Sequence, residues 1–491
     1  MNLRLKNLLL GFVFFILMVF PLAAQQYFIN SFTYEIDGIT KEYALNYVTG
    51  LYEGEIISDL SALELFIQDK TQILINERVF ESVSIEYTIR DILPDGRYPV
   101  DLVIYLKDTW NFIALPYPKY DDNSGLSVTL KARNYNFLGT MSVLRLDLGY
   151  QYDKNDNTVF SFMLDTGIPF KALGIYWDID FDHDLLYRAD FTLPWYYKNT
   201  TGISIELPVD RTTVKIGFVE SIILNEENSS EWHTQYGQFQ EGLYLSSKPY
   251  VRFNVPTGLN VFNLGELVYT PQISAVFNHE LPSWSLAEFR KGPFLYFTHS
   301  FSFGRIDWIG NFRKGMSLNL DNSISYNFYN LWENLEPLGI SVSFTTVNHY
   351  IISDFTGLSL RFMYRQSFLG GSVGNAGNVL RGVLDSSVSA DDFILSLNID
   401  VPIRILRIRP SQWSENNKFL SLFDFDLHMV PILDMAFYPY TIYMAGGMEL
   451  IIFPHKWRSL FLRVSLGIGM QLTNPAAGIT KELFIGMELC Y

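Results

Sequence analysis

From about Leu126 to Tyr491 apolar and polar residues alternate with a period of two, the pattern of β-strands with one dry face and one wet face. Between Met316 and Phe328, Met316, Leu318, Leu320, Ile324, Tyr326 and Phe328 share one parity, and Ser317, Asn319, Asp321, Ser323, Ser325 and Asn327 share the other. Leu144, Leu146 and Leu148 alternate in the same way with Arg145 and Asp147, as do Ile175, Trp177, Ile179 and Phe181 with Asp178, Asp180 and Asp182. A soluble β-sandwich also has one wet face. Many of these segments, however, reach the roughly 9–11 residues that cross a bilayer as tilted strands, beyond the usual 5–6 of globular sheets. Their apolar stripes are rich in aromatic residues, which make up 16% of the chain. Such residues form girdles where a barrel wall meets lipid headgroups, and lipid tolerates no unpaired sheet edge. The expected fold is therefore an all-β transmembrane barrel.

At roughly 24 residues per strand with its connection, residues 108–491 hold about 16 antiparallel strands, in keeping with the even numbers of bacterial barrels. Strands are expected near 356–368, 391–405, 419–435, 439–453, 457–472 and 482–491, with the first near Leu126. The Gly-rich stretch Gly370 to Ala390 then becomes the sixth external loop. After Gln25 no run of about 18 apolar residues occurs, the length a spanning helix needs.

The N-terminus reads differently. Arg4 and Lys6 precede the apolar run Leu8 to Phe20, and Pro21-Leu22-Ala23-Ala24 offers small residues for cleavage, so residues 1–24 are expected to be a signal peptide, with an uncleaved anchor as the alternative. Residues 25–107 follow the order β-α-α-β-β. Phe32, Tyr34 and Ile36 alternate, Thr40 to Val48 and Asp59 to Ile75 carry helical patterns behind N-cap residues, and strands built on Val83, Ile85, Tyr87 and Ile89 and on Val100, Leu102, Ile104 and Leu106 follow.

Several motifs, in this order, resemble the outer-membrane assembly and translocation superfamily that includes BamA, TamA and the two-partner secretion transporters. The β-α-α-β-β order is that of its periplasmic POTRA modules, and Asn76-Glu77-Arg78-Val79-Phe80-Glu81-Ser82-Val83 looks like their helix-end signature. Asn136, Phe137, Leu138 and Gly139 resemble the motif after the superfamily's first barrel strand. Leu380-Arg381-Gly382 resembles its sixth-loop Arg-Gly-aromatic motif, with Val383 in the aromatic position. The resemblance implies a loop folded into the lumen, its arginine meeting an acid on a barrel strand. Leu433-Asp434-Met435 is the corresponding segment, with Ile432 and Ala436 where an aromatic neighbour and a glycine are common. Gly486, Leu489 and Tyr491 resemble the C-terminal signal read during barrel assembly, with Phe484 at a usually polar position.

Parity supports the Arg381–Asp434 pairing independently. Phe423, Phe425, Leu427, Met429, Leu433 and Met435 face one way, and Asp424, Asp426, His428 and Asp434 the other, so Asp434 is expected to point into the lumen. The alternative is a solvated loop arginine and an acid that merely lines a pore.

No catalytic constellation is present: the seven histidines form no His-Glu-x-x-His pair, and neither a Gly-x-Ser-x-Gly elbow nor a phosphate loop occurs. No cofactor or metal is expected. The single cysteine, Cys490, excludes an intrachain disulfide, and the net charge of −16 argues against nucleic-acid partners. The resemblance implies insertion or translocation of unfolded or partly folded β-rich client proteins, in contact with outer-membrane lipid and with accessory proteins of the periplasm. A seam between Leu126–Arg133 and Leu483–Tyr491 would template an incoming strand. A passive porin, or an adhesin displaying the polar stretch Leu224 to Gly242, stays open as a different class.

Overall fold

The computed structural model describes residues 25–121, 125–152, 158–189, 194–225, 243–261, 265–280, 291–369, 374–375, 379–383, 389–390, 392–413 and 420–486. The expected signal peptide, most of the Leu224–Gly242 stretch, Leu489 and Tyr491 lie outside the described residues. Two compact units are present, one formed by residues up to 76 together with 82–108, the other by 77–81 together with 109–491.

The smaller unit contains β1 (Gln26–Asp37), α1 (Glu42–Thr49), β2 (Ile56–Ile57), α2 (Leu60–Asn76), β3 (Phe80–Ile89) apart from its first two residues, and β4 (Arg97–Asp108), with sheet order β2-β1-β4-β3. β1 and β4 run parallel, and the short β2 adds to the β-α-α-β-β order read from the sequence. Helix α1 ends at Gly50, whose left-handed backbone brings its N–H to the Asn46 carbonyl. Asp59 opens α2 by accepting the Ala62 N–H at 2.9 Å. That bond, with one from the Ser58 hydroxyl, holds the Asp59 carboxyl below the usual carboxylate range. The core follows the alternation: Val100, Leu102, Ile104 and Leu106 of β4 are buried with Ile29, Leu45, Leu63 and Leu74.

The larger unit is a closed antiparallel barrel. Its strands are β5 (Phe112–Asp121), β6 (Gly125–Phe137), β7 (Ser142–Tyr152), β8 (Thr158–Ala172), β9 (Ile175–Arg188), β10 (Trp195–Val209), β11 (Thr212–Leu224), β12 (Leu243–Asn260) and β13 (Glu266–Glu280). They continue through β14 (Phe294–Ile309), β15 (Phe312–Asn327), β16 (Leu338–Ser353) and β17 (Thr356–Leu369). A small pair, β18 (Gly374–Asn375) with β19 (Ser389–Ala390), stands apart in the following connection. Then come β20 (Phe393–Asp400), β21 (Ile403–Ile408), β22 (Phe425–Tyr438), β23 (Thr441–Pro454), β24 (Leu462–Gln471) and β25 (Ile479–Gly486).

Segments β20 and β21 pair with the same neighbours, β17 and β22, and are one strand interrupted at Val401-Pro402. So counted, the described barrel has eighteen strands, two more than the sixteen expected. The spacing of 24 residues was too generous because many of the connections are very short turns. Leu173-Gly174, for instance, joins β8 to β9 with both residues at positive φ, the mirror-image turn that matches strand twist. The count also moves the Gly370–Ala390 connection from sixth to seventh among those at the long-loop end.

The expected starting strand is corrected too. The barrel begins at Phe112, and Leu126 lies in its second strand. Alternation failed to reveal β5 because its inward residues, Ile113, Leu115 and Tyr117, are apolar, while Pro116 and Pro118 occupy the outward parity. Elsewhere parity holds. In β22 the even residues from Asp426 to Tyr438 face the lumen and are buried, and the odd ones are more exposed. Burial of the inner face concentrates in β20 and in β22 to β24; on β8, β9 and β11 most inward residues remain partly exposed.

Candidate functional site: the lumenal loop and the barrel seam

Residues Val379 to Val383, in the connection between β17 and β20, lie buried inside the barrel. Val379, Leu380 and Val383 pack with Met363, Ile394, Ala436, Tyr438, Tyr443 and Ala445, so a hydrophobic contact holds the segment before any charge is considered. The Asn398 side chain adds a hydrogen bond to the Val379 carbonyl at 2.7 Å. Val383, at the motif's aromatic position, fills this cluster as a small aliphatic residue.

Arg381 makes a fork on Asp434. Its Nε donates to Oδ2 at 2.9 Å and Nη2 to Oδ1 at 2.7 Å, and the Arg381 backbone N–H also donates to Oδ2 at 2.9 Å. Asp434 is fully buried. Two further carboxylates, which sequence reasoning missed, complete the site: Asp400 accepts from Nη2 at 2.6 Å, and Glu449 lies 3.3 Å from Nη1. Arg463 reaches the same Glu449 oxygen at 3.3 Å. Asp400 shares its lumen-facing parity with Asn398 and Ser396 of β20, and Glu449 lies on the inward parity of β23. Parity could have placed both acids on the inner wall, but it carries no information on how deep the loop descends.

The loop backbone is seated on glycine. Gly382 has φ +92°, and a Cβ there would lie 2.6 Å from the Gly467 carbonyl carbon and the Ile468 nitrogen. A Cβ on Gly467 would in turn fall 2.8 Å from the Gly382 nitrogen, and one on Gly469 would fall 2.5 Å from the Gly382 oxygen. Side chains would therefore hold the loop off the wall. The signal was present in the sequence as Leu466-Gly467-Ile468-Gly469, where glycine occupies the polar parity of a strand and marks close backbone approach.

The last strand also touches the loop. Glu482 accepts the Gly382 N–H at 2.8 Å, and the Thr480 hydroxyl donates to the Gly382 carbonyl. Both residues lie on β25, opposite Gly467 and Gly469 of β24. Gly486, near the end of this strand, pairs with Arg463.

Across its other edge β25 closes the barrel onto β5. Among the described residues this ladder consists of Leu483 opposite Tyr120 and Glu482 opposite Asp121. β5 by contrast pairs with β6 without a break from Phe112 opposite Asn134 to Asp121 opposite Gly125. In an antiparallel pair, successive residues direct their N–H groups to opposite neighbours. The unbroken ladder with β6 therefore draws on the odd residues around Tyr117, and Pro116 and Pro118 fall on the side that faces β25. Proline has no N–H, so at those two positions β5 offers the seam no donor.

The remaining sequence motifs have local roles. Asn136 and Phe137 end β6, not the first barrel strand, and Leu138 and Gly139 turn at positive φ. The buried Asn136 side chain accepts the Met141 N–H at 2.9 Å and so fixes that turn. Segment 77–81 belongs to the barrel unit. There the Arg78 guanidinium lies 4.2 Å from the Trp308 ring and 4.9 Å from the Phe461 ring, and its Nε donates to the Arg458 carbonyl at 2.6 Å. The acids of β9 line the inner wall with basic partners among them, Lys215 lying 3.0 Å from Asp178.

Solved structures align along most of the chain. BamA from Haemophilus ducreyi lacking POTRA domains 1–3 shares 14% identity over 94% of this chain and 84% of that one, with a TM-score of 0.39. CdiB from Acinetobacter baumannii shares 11% over 93% and 73%, with a TM-score of 0.48, and CdiB from Escherichia coli 9% over 95% and 91%, with a TM-score of 0.43. No protein-family profile matches the chain, and no curated protein matches it.

Proposed function

We propose that this protein is an outer-membrane barrel that inserts or exports β-rich client proteins, with the β5–β25 seam as its working edge and residues 25–107 as a periplasmic docking module. The observation that carries the reading is the seam itself. At Pro116 and Pro118, β5 lacks donors on the side facing β25, beside the described pairs Tyr120–Leu483 and Asp121–Glu482. An incoming strand brings unpaired N–H and C=O groups that lipid cannot satisfy, and a weakly joined edge offers them partners by strand addition. Membrane residence fits the exposed apolar outer face, where Leu130, Leu148, Phe218, Ile273, Leu320 and Leu466 stand out from different strands. Mostly short turns at the end where β5 begins, the connection 409–424 excepted, and mostly longer connections at the other fit a periplasmic N-terminus. In the smaller unit, β3 is an edge strand and could take a client segment by the same mode.

The test is a reversible seam lock. Tyr120→Cys with Leu483→Cys in a Cys490→Ser background places two thiols on directly paired residues. In proteoliposomes, oxidation should reduce client insertion or export at least tenfold, and reductant should restore it. Full activity with the seam cross-linked would overturn the proposal.

A passive pore is the second reading, and the partly exposed inner faces of β8, β9 and β11 favour it. Solute conductance unaffected by the lock, together with no client dependence on it, would select that reading.

A further inference from the structure

We propose that Thr480 and Glu482 form a latch through which the lumenal loop holds the seam closed, so that undocking of the loop releases the last strand. The inference deepens the seam reading above and rests on it. Gly382 is buried, and a buried backbone group without a partner is costly. Its N–H is met by Glu482 and its carbonyl by Thr480, both from β25 and both side-chain contacts outside the strand ladder. The loop therefore grips β25 while Arg381 grips Asp434 on β22, Asp400 on β20 and Glu449 on β23. Through the loop, the closing strand is tied to a wall that is fully paired on both sides.

Glu482 has a second position in this arrangement, because it is also one of the two described β25 residues in the seam ladder. The residue that caps the loop is thus the residue opposite Asp121 of β5. The position of β25 is set by its ladder with β24, by its pairs with β5 and by the loop. Coupling of this kind is reciprocal: whatever stabilises the docked loop stabilises the closed seam, and a client strand that displaces β25 must weaken the loop's hold. Thr480 also lies 3.2 Å from the Gly469 carbonyl, on the track that seats Gly382.

The readout is seam geometry, not client handling. In the Tyr120→Cys, Leu483→Cys, Cys490→Ser protein, the rate of oxidative cross-linking reports how often the two strands are in register. Glu482→Ala combined with Thr480→Val should slow it at least fivefold in barrels that still show heat-modifiable gel mobility. Glu482→Gln, whose amide oxygen still accepts the Gly382 N–H, should stay within twofold of the parent. Gly469→Ala supplies a second route from the β24 side: its Cβ would fall 2.5 Å from the Gly382 oxygen and from Val383 Cγ2, and it should slow cross-linking similarly. Adding it to the latch variant should cause little further loss. Cross-linking at the parent rate in folded latch variants, or in a Gly469→Ala barrel whose loop has become protease-accessible, would overturn the latch. Because no client is present, that result is distinct from failure of the seam lock to block client handling.

Discussion

In the loop site two guanidinium groups, Arg381 and Arg463, share three carboxylates, Asp400, Asp434 and Glu449. Buried charges without partners are costly, so the response to substitution should be unequal. Arg381→Ala takes from Asp400 and Asp434 the guanidinium they share, leaving Glu449 with Arg463, and should weaken loop docking by about 3–5 kcal/mol, the range for breaking a buried ion pair. Asp434→Asn leaves Arg381 with Asp400 and Glu449 and should cost about 1–3 kcal/mol, as for a weakened charge-assisted hydrogen bond. Limited proteolysis within residues 379–383, compared between the two variants in folded barrels, measures this order; equal losses would remove Asp400 and Glu449 from the account. Arg381 and Asp434 were legible from parity and motif resemblance because a strand's period of two states which way Asp434 points. Asp400, Glu449 and Arg463 were not, since their role depends on where a long connection comes to rest, and no local pattern encodes that.

At the scale of elements, β5 shows both the reach and the limit of periodicity. Alternation located β22 to β24 because Asp426, His428, Asp434, Glu449, Arg463 and Ser465 mark the inward parity, even though Val430, Ile432, Ile451 and Phe453 make part of it apolar. It missed β5, whose inner face is apolar at Ile113, Leu115 and Tyr117 and whose outer parity carries two prolines. Those prolines point to a role in the seam. Pro116→Ala with Pro118→Ala restores two N–H groups on the side facing β25. Each new backbone hydrogen bond is worth about 0.5–1.5 kcal/mol net. Part of that gain is offset by the greater freedom of the unfolded chain, about 0.4–1 kcal/mol per site. The double variant should therefore fold normally but show greater amide protection along β25 in hydrogen exchange and slower client handling. Unchanged protection would mean that the missing donors do not limit the seam.

At the scale of the whole molecule, the eighteen described strands enclose a lumen with one crowded wall and one more open one. Residues 379–383 pack against the wall from β20 to β25, and the acidic inner face of β9 stays partly exposed on the other. A barrel and an N-terminal β-α-α-β-β unit could be read from the order of patterns along the chain. The strand number could not, because connection length varies widely around the barrel. The central claim is that the seam, not the open lumenal wall, handles the client. Site-specific photo-cross-linking in the presence of a translocating or inserting β-rich client tests it most directly, with the photoreactive residue placed at Tyr120 on β5, at Ile485 on β25, or at Asp180 on the lumenal face of β9. Client adducts are expected at 120 and 485 and none at 180; adducts at 180 with none at either seam position would show that the client passes through the lumen instead.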